Sequence, residues 1–153
     1  MIPVIIDTRE KVGLWRFDDE QFTTTSKKLD TGDYSIAGME HLLCIERKKN
    51  LPEFAANITD QRFKRELDRM VMHPHRYLII EASFDDILRF PVGTSIPKSK
   101  WKDIKIAPAF ILSAISKIQV YYNIHVILAG NADNATVMAQ NIIKRVYDKE
   151  KSN

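Results

Sequence analysis

The chain has 153 residues, a length that fits one domain with a sizeable hydrophobic core. Apolar residues make up 44% and charged residues 28%, as is ordinary for a soluble globular protein. The net charge of +3 permits a nucleic-acid partner without arguing for one.

The cysteine count and the apolar runs bear on the compartment. The single cysteine, Cys44, excludes an internal disulfide framework and is typical of a reducing environment. No apolar run approaches the roughly 18 residues of a membrane-spanning helix, and we expect no signal peptide. We therefore predict a protein without a membrane partner that is not secreted. It would be cytoplasmic in a prokaryote or phage and nuclear in a eukaryote.

Short strands dominate the first third of the chain. Strands are predicted over 3–6, 22–29, 34–37 and 42–48, the second of them half-exposed. Asp30 to Asp33 has turn chemistry, in which Gly32 can supply a positive φ. The last two strands are predicted to pair as a hairpin around Gly38.

Helices alternate with strands after Lys48. Helices are predicted over 51–58, 61–72, 84–90, 108–120 and 134–149, strands over 76–81 and 125–129, and a loop over 90–105. The inward stripes are expected to be Phe63, Leu67, Met70 and Val71 in the second helix, and Ala135, Met138, Ala139, Ile142 and Val146 in the last. This order predicts one α/β domain, residues 1–153, with a central mixed β-sheet flanked by helices on both faces.

Charged residues follow the most apolar strand, where burial would otherwise exclude them. Side chains alternate along a strand, so Glu46 and Lys48 project to one side and Arg47 to the other. Asp33 begins the preceding strand and would lie next to Glu46 if the two strands pair. Asp7 closes the first strand, and Glu10 follows it.

Up to four carboxylates and one lysine are therefore predicted to meet at strand ends. Mg²⁺ prefers such hard oxygen ligands and takes one or two direct carboxylates, and a phosphodiester supplies further oxygens. The structural alternative is a surface ion pair of Glu46 with Lys48, worth ~0–1 kcal/mol, beside an ordinary turn residue at Asp33. The joint occurrence of these charges after two buried strands favours a site.

Three ordered blocks of the sequence resemble the nuclease domain of XPF-type structure-selective endonucleases. The blocks are Ile5-Ile6-Asp7-Thr8-Arg9-Glu10, Gly32-Asp33-Tyr34 and Ile45-Glu46-Arg47-Lys48. The family signature is "VDxRE…GD…ERKxxxD", within the restriction-endonuclease-like PD-(D/E)XK fold. Residues 58–63, followed by Glu66 to Met70, are similar to the family segment "DGRF…Q…RL". The resemblance covers nearly the whole chain.

The resemblance implies an activity and a set of residue roles. The activity is that of a Mg²⁺- or Mn²⁺-dependent DNA endonuclease that hydrolyses phosphodiester bonds, selective for branched or flap DNA in repair, recombination or replication. Asp33, Glu46 and Lys48 would be the catalytic residues. Asp33 and Glu46 would also bind the metal, with the backbone carbonyl of Arg47 as a further ligand. Asp7 and Glu10 would be supporting acids around the metal. Arg9, Arg62 and Lys64 would contact DNA phosphates.

The lysine-rich segment around Trp101 is a separate candidate for DNA binding. Lys100 would bind the DNA backbone and Trp101 would stack on a base, whereas a solvated loop with one anchoring tryptophan is the alternative.

His73 and His75, on either side of a proline, are interpreted as a helix stop rather than a metal site.

Two departures from the family pattern stand out. Pro52 occupies the place of the last family acid, and Glu53 comes one residue later. We expect no tandem helix-hairpin-helix module, which many family members carry. We therefore expect that the nuclease domain binds DNA by itself, or that it forms a homodimer or a heterodimer with a related subunit. Residues 107–149 would lie at the dimer interface.

The rival functions are a non-catalytic DNA-binding module of the same fold and a restriction-type duplex nuclease.

Overall fold

The computed structural model describes residues 1–11 and 13–152. The strands are β1 (Ile2–Ile6), β2 (Phe22–Ser26), β3 (Tyr34–Ile36), β4 (Leu43–Lys48), β5 (His75–Ile80) and β6 (His125–Leu128). The α-helices are α1 (Leu51–Asn57), α2 (Gln61–Met70), α3 (Phe84–Leu88), α4 (Pro108–Tyr122) and α5 (Ala132–Lys151), with a 3-10 helix over Lys98–Asp103. None of the described helices is long and apolar enough to cross a membrane.

The six strands form one mixed sheet in the order β2-β1-β3-β4-β5-β6. The pairs β1–β3 and β3–β4 are antiparallel, and the other three neighbouring pairs are parallel. The predicted hairpin around Gly38 is thus present as β3 and β4. Because β4 is central, its six residues are all buried, the three charged ones included.

Helices cover both faces of the sheet, as predicted. On one face, α1, α2, α3 and α4 pack over the strands through a cluster that includes Phe54, Leu67 and Ile111. On the other face, α5 packs through Ala139 and Ile143 against a cluster that also contains Trp15, Tyr34 and Ile45. Strand β4 contributes Cys44 to the first cluster and Leu43 and Ile45 to the second, so its position is fixed by packing on both faces.

Several sequence expectations need correction in detail. Strand β2 ends at Ser26 instead of residue 29, since it is an exposed edge strand beyond Phe22. The inward placement of Val71 and Met138 is wrong. Val71 is the C-cap of α2 and is 41% exposed, because the chain turns away there, and Met138 is 42% exposed while Ile143 takes a core position of α5. The predicted loop 90–105 contains the 3-10 helix.

Candidate active site

The turn before β3 places Asp33 against the end of β4. Gly32 has φ +84°, and a Cβ atom there would lie 2.7 Å from Sγ of Cys44 and 3.1 Å from the carbonyl oxygen of Ile45. This close approach lets the Asp33 N–H donate to the Ile45 carbonyl (2.8 Å), while the Arg47 N–H donates to Oδ2 of Asp33 (2.8 Å). The Asp33 carboxylate is therefore held by the backbone of β4.

Glu46 and Lys48 meet Asp33 on one face of β4. The side chains of Glu46 and Lys48 are 6% and 7% exposed, and Nζ of Lys48 lies 3.1 Å from Oε2 of Glu46. The ammonium group also stands 4.8 Å from the ring centroid of Phe63 on α2, in a cation–π contact. The Asp33 carboxylate lies close enough to Glu46 for the two negative charges to repel each other. The structure thus brings together the three residues predicted to be catalytic.

The pKa values of Asp33 and Glu46 are both raised by their surroundings. Burial raises the pKa of Asp33 to about 6. The hydrogen bond from the Arg47 amide lowers this pKa, whereas the negative charge of Glu10 raises it further. Burial and the neighbouring Asp33 charge raise the pKa of Glu46 well above its ordinary value, in spite of Lys48. One ammonium group does not compensate both charges, so the pair favours a further cation.

A divalent cation fits these residues. Oε1 of Glu46 is buried and lacks a hydrogen-bond partner within the described part of the chain, which leaves an acceptor free for a ligand. No three His, Cys, Asp or Glu side chains of residues 1–11 and 13–152 form a ready-made ligand set. Mg²⁺ does not need one, because it keeps several waters and takes only one or two carboxylates.

On the opposite face of β4, the Arg47 side chain lies in a buried polar network. Its guanidinium donates to both carboxylate oxygens of Glu81 and, from Nη1, to Oε2 of Glu10 at 3.0 Å. It also stands 5.2 Å from the ring centroid of Trp15, whose Nε1 donates to Glu81 at 2.8 Å. The Tyr34 hydroxyl donates to Glu10 at 2.9 Å. This network fixes the strand that carries the site.

Asp7 and Glu10, the predicted supporting acids, have protein partners for their oxygens. Oδ1 of Asp7 accepts from the Leu29 amide (2.8 Å), and Oδ2 accepts from Nε of Arg9 (2.7 Å). Burial would raise the pKa of Asp7, but these hydrogen bonds outweigh it and lower the pKa. Both oxygens of Glu10 face cations, Arg47 and Lys49. Their predicted part in metal binding stays a prediction.

One protein family and several solved structures match this chain. Residues 6–141 match the ERCC4 domain family. The chain belongs to that family.

Two solved structures show the same fold as this ERCC4 domain. "XPF from Aeropyrum pernix, complex with DNA" has a TM-score of 0.70 at 16% identity, covering 97% of this chain and 66% of that chain. "XPF from Aeropyrum pernix" has a TM-score of 0.71 at 17% identity, covering 94% of this chain and 61% of that chain. The ERCC4 domain thus spans less than two thirds of either solved chain. Among curated proteins, none matches the sequence.

The departure at Pro52 has a local structural reason. Pro52 lies in the first turn of α1, where its missing N–H costs nothing, and Asn50 caps the helix by accepting from the Glu53 amide at 2.8 Å. Oε2 of Glu53 in turn accepts from the Lys49 amide at 3.3 Å. Glu53 therefore belongs to a capping arrangement and also contributes negative charge near Lys48.

The structure separates the predicted DNA-binding residues into three places. Arg9 and Arg62 line one open cleft of about 270 Å³. Lys64 lines a different depression, between α2 and α4. Lys100 is exposed on the 3-10 helix, and Trp101 is half-buried there with its Nε1 bonded to the Ile96 carbonyl at 3.1 Å.

The sequence interpretation missed several residues at the site. Glu66 and Arg69 line the same cleft as Arg62. Glu66 follows Arg62 by four residues and precedes Arg69 by three, and this helical spacing was the available signal that the three residues share one side of α2. Glu81 and Trp15, the partners of Arg47, carried no such signal, because they come from remote parts of the chain.

Proposed function

We propose that this ERCC4 domain is a Mg²⁺- or Mn²⁺-dependent DNA endonuclease. One observation carries the proposal: the half-buried Asp33 carboxylate, held by the Arg47 amide, accompanies the buried Glu46, which has the Lys48 ammonium beside it and an oxygen without a hydrogen-bond partner among the described residues. A purely structural ion pair would not need the second acid. Structural ion pairs are stabilised by matched charges, whereas this group has an excess of negative charge.

The residues have distinct parts in the proposed reaction. Asp33 and Glu46 bind the cation, with the backbone carbonyl of Arg47 as a further ligand. When bound, such an ion lowers the pKa of a coordinated water and neutralises charge on the phosphoryl group. Lys48, fixed by Glu46 and the Phe63 ring, orients the attacking water and stabilises the negative charge that develops in the transition state.

Asp7 and Glu10 act as supporting acids in this proposal. The Asp7 amide donates to the Asp33 carbonyl at 2.8 Å, so Asp7 ties the end of β1 to the residue that binds the metal. Glu10 adds negative charge near Asp33 while it is held by Arg47. Both residues thereby position the ligands and increase the attraction for a cation.

The proposed substrate is DNA with a branch or flap, processed in repair, recombination or replication. Arg9 and Arg62 would contact phosphates at the cleft, whereas Lys64, Lys100 and Trp101 would extend the contact along the DNA. The fold shared with an XPF structure solved in complex with DNA supports a nucleic-acid substrate. Residues 1–153 would act as a single nuclease domain.

We also propose that the domain dimerises, with itself or with a related subunit, through residues 107–149. Helices α4 and α5 cover opposite faces of the sheet and flank β6, the edge strand. Large apolar side chains are exposed there: Phe110, Val120 and Tyr121 on α4, and Val137 and Met138 on α5. Such a surface is typical of a protein interface.

Cleavage of end-labelled flap, fork, Holliday-junction and duplex DNA in Mg²⁺, Mn²⁺ and EDTA tests the function. We expect branched DNA to be cut with either metal and EDTA to abolish cleavage. Asp33→Ala, Glu46→Ala and Lys48→Ala should each abolish cleavage and leave folding and most DNA binding intact, whereas Asp68→Ala, at an exposed acid of α2, should not. DNA binding without any cleavage in Mn²⁺ would indicate a non-catalytic module. A preference for duplex DNA would refute structure selectivity.

A further inference from the structure

Glu66 lies on the side of α2 that faces the site. Helix α2 packs Phe63, Leu67 and Met70 into the core, and the Phe63 ring contacts the Lys48 ammonium at 4.8 Å. Residues three apart on a helix are neighbours, so Glu66 follows Phe63 on the same side. Its half-buried carboxyl lines the same cleft as Phe63 and Gly32, and its negative charge acts on both Glu46 and Lys48.

Glu66 makes the charge imbalance of the site larger. The Lys48 ammonium interacts with the negative charges of Glu46, Glu66 and Glu53, and Glu46 interacts in turn with that of Asp33. The Glu46 side chain is 6% exposed, and its Oε1 has no hydrogen-bond partner among the described residues although it lies amid these groups. An added carboxylate next to an unpartnered buried oxygen is unfavourable unless a proton or a metal cation binds there.

Glu66 is also accessible from outside. It lines the open cleft of about 270 Å³ that Arg9, Arg62 and Arg69 border. The cleft also contains Gly32, so it borders both Glu66 and the turn that carries Asp33. The arginines of the same cleft attract phosphate, so the ion and the DNA backbone would approach the acids from one direction.

We propose that Glu66 is a third acid of the divalent-cation site, supplying negative charge from α2 to an ion bound by Asp33 and Glu46. This inference rests on the proposed metal-dependent function. In this chain, Glu66 supplies an acid from a different element, while Pro52 stands where the family signature has its last acid. Glu66→Gln removes the negative charge and keeps the size of the side chain, so it is the variant to test.

The competing explanation is that Glu66 serves only as an ion-pair partner of Lys48. The two explanations predict opposite effects on stability. If Glu66 only pairs with Lys48, Glu66→Gln should destabilise the metal-free protein. If Glu66 belongs to a cation site, the variant relieves repulsion among carboxylates, so the metal-free protein should be as stable as the wild type or more stable.

The test is Mn²⁺ binding to the full chain without DNA, measured by electron paramagnetic resonance, together with thermal unfolding in EDTA. We expect Glu66→Gln to weaken Mn²⁺ binding by about tenfold, the effect of removing a supporting group around a metal. The melting temperature in EDTA should not fall. Asp68→Asn removes the same charge from an exposed position of the same helix and should leave binding unchanged.

The outcomes separate this inference from the proposed function. Wild-type Mn²⁺ affinity in Glu66→Gln would overturn the inference and leave the metal-dependent function standing. Equal weakening in Asp68→Asn would also overturn it, because the effect would then be general electrostatics. If wild-type protein bound no Mn²⁺ while Asp33→Asn behaved identically, the metal site itself would be refuted. A fall in the EDTA melting temperature of Glu66→Gln without a change in Mn²⁺ affinity would establish the ion-pair explanation.

Discussion

The Arg47 amide donates a 2.8 Å hydrogen bond to the Asp33 carboxylate, although the Arg47 side chain points to the other face of the sheet. The backbone of one residue therefore positions the acid of the site, and its side chain anchors the strand through Glu81 and Glu10. Position 47 thus acts on both faces of β4.

The first prediction concerns the pH dependence of stability in EDTA. Burial raises the pKa of Asp33 from 3.8 to about 6, so the folded protein holds this proton more tightly than the unfolded chain. The contribution of Asp33 to stability is therefore present below about pH 4 and is lost as the pH rises through about 6. We expect Asp33→Asn to gain on the order of 2 kcal/mol over the wild type between pH 4 and 7.

Urea denaturation of both proteins across this pH range measures the difference. Comparing the two at each pH cancels the titration of carboxyls elsewhere in the chain. A difference that stays constant from pH 4 to 7 would contradict the raised pKa. Added Mn²⁺ should stabilise the wild type at pH 7 and have a much smaller effect on the variant.

The second prediction concerns the turn that carries Asp33. Gly32 and Gly38 both have φ +84°, so alanine at either position adopts an unfavourable backbone conformation that costs about 1–2 kcal/mol. At Gly38 the new Cβ would meet no atom within 4 Å, whereas at Gly32 it would lie 2.7 Å from Sγ of Cys44. Gly32→Ala should therefore cost about 1–3 kcal/mol more than Gly38→Ala.

Chemical denaturation of the two alanine variants gives the comparison directly. A Gly32→Ala/Cys44→Ala double variant should recover part of the extra loss, because it removes the sulfur atom from the clash. Equal destabilisation by the two single variants would show that Gly32 is needed only for its φ angle.

The third prediction concerns the network behind the site. Glu81 pairs with Arg47 where both side chains are almost fully buried, 6% and 3% exposed. Glu81→Leu leaves the Arg47 charge poorly compensated and should lower the free energy of unfolding by about 3–5 kcal/mol. An Arg47→Met/Glu81→Leu double variant should be more stable than Glu81→Leu alone, because the poorly compensated Arg47 charge is removed while Glu10 keeps Lys49 and the Tyr34 hydroxyl as partners.

Mn²⁺ affinity is the second measurement on these variants. The Arg47 amide and carbonyl are unchanged by side-chain substitution, so the folded double variant should retain Mn²⁺ binding. Loss of binding in a variant that remains folded would mean that the guanidinium itself positions the acids.

The parts of the site that the sequence predicted are those that depend on local geometry. Strand alternation placed Glu46 opposite Arg47, and a hairpin through Gly38 brought Asp33 back to the same end. The partnership of Arg47 with Glu81 was not predictable in this way, because it joins residues 34 positions apart through the parallel pairing of β4 and β5. Helical spacing likewise failed for Val71 and Met138, where tertiary packing decided which apolar residue faces the core.

The fourth prediction concerns the proposed dimer. Tyr121, near the end of α4, is 73% exposed, so Tyr121→Glu should not disturb the core of the monomer. A charge buried in an interface is strongly unfavourable, and the variant should therefore be monomeric. Light scattering after size-exclusion chromatography should give about twice the 17.7 kDa chain mass for the wild type and the chain mass itself for Tyr121→Glu.

Met72→Glu, at an 80% exposed residue just after α2, is the matched control and should remain dimeric. A monomeric wild type would refute self-association, and a dimeric Tyr121→Glu variant would place the interface elsewhere.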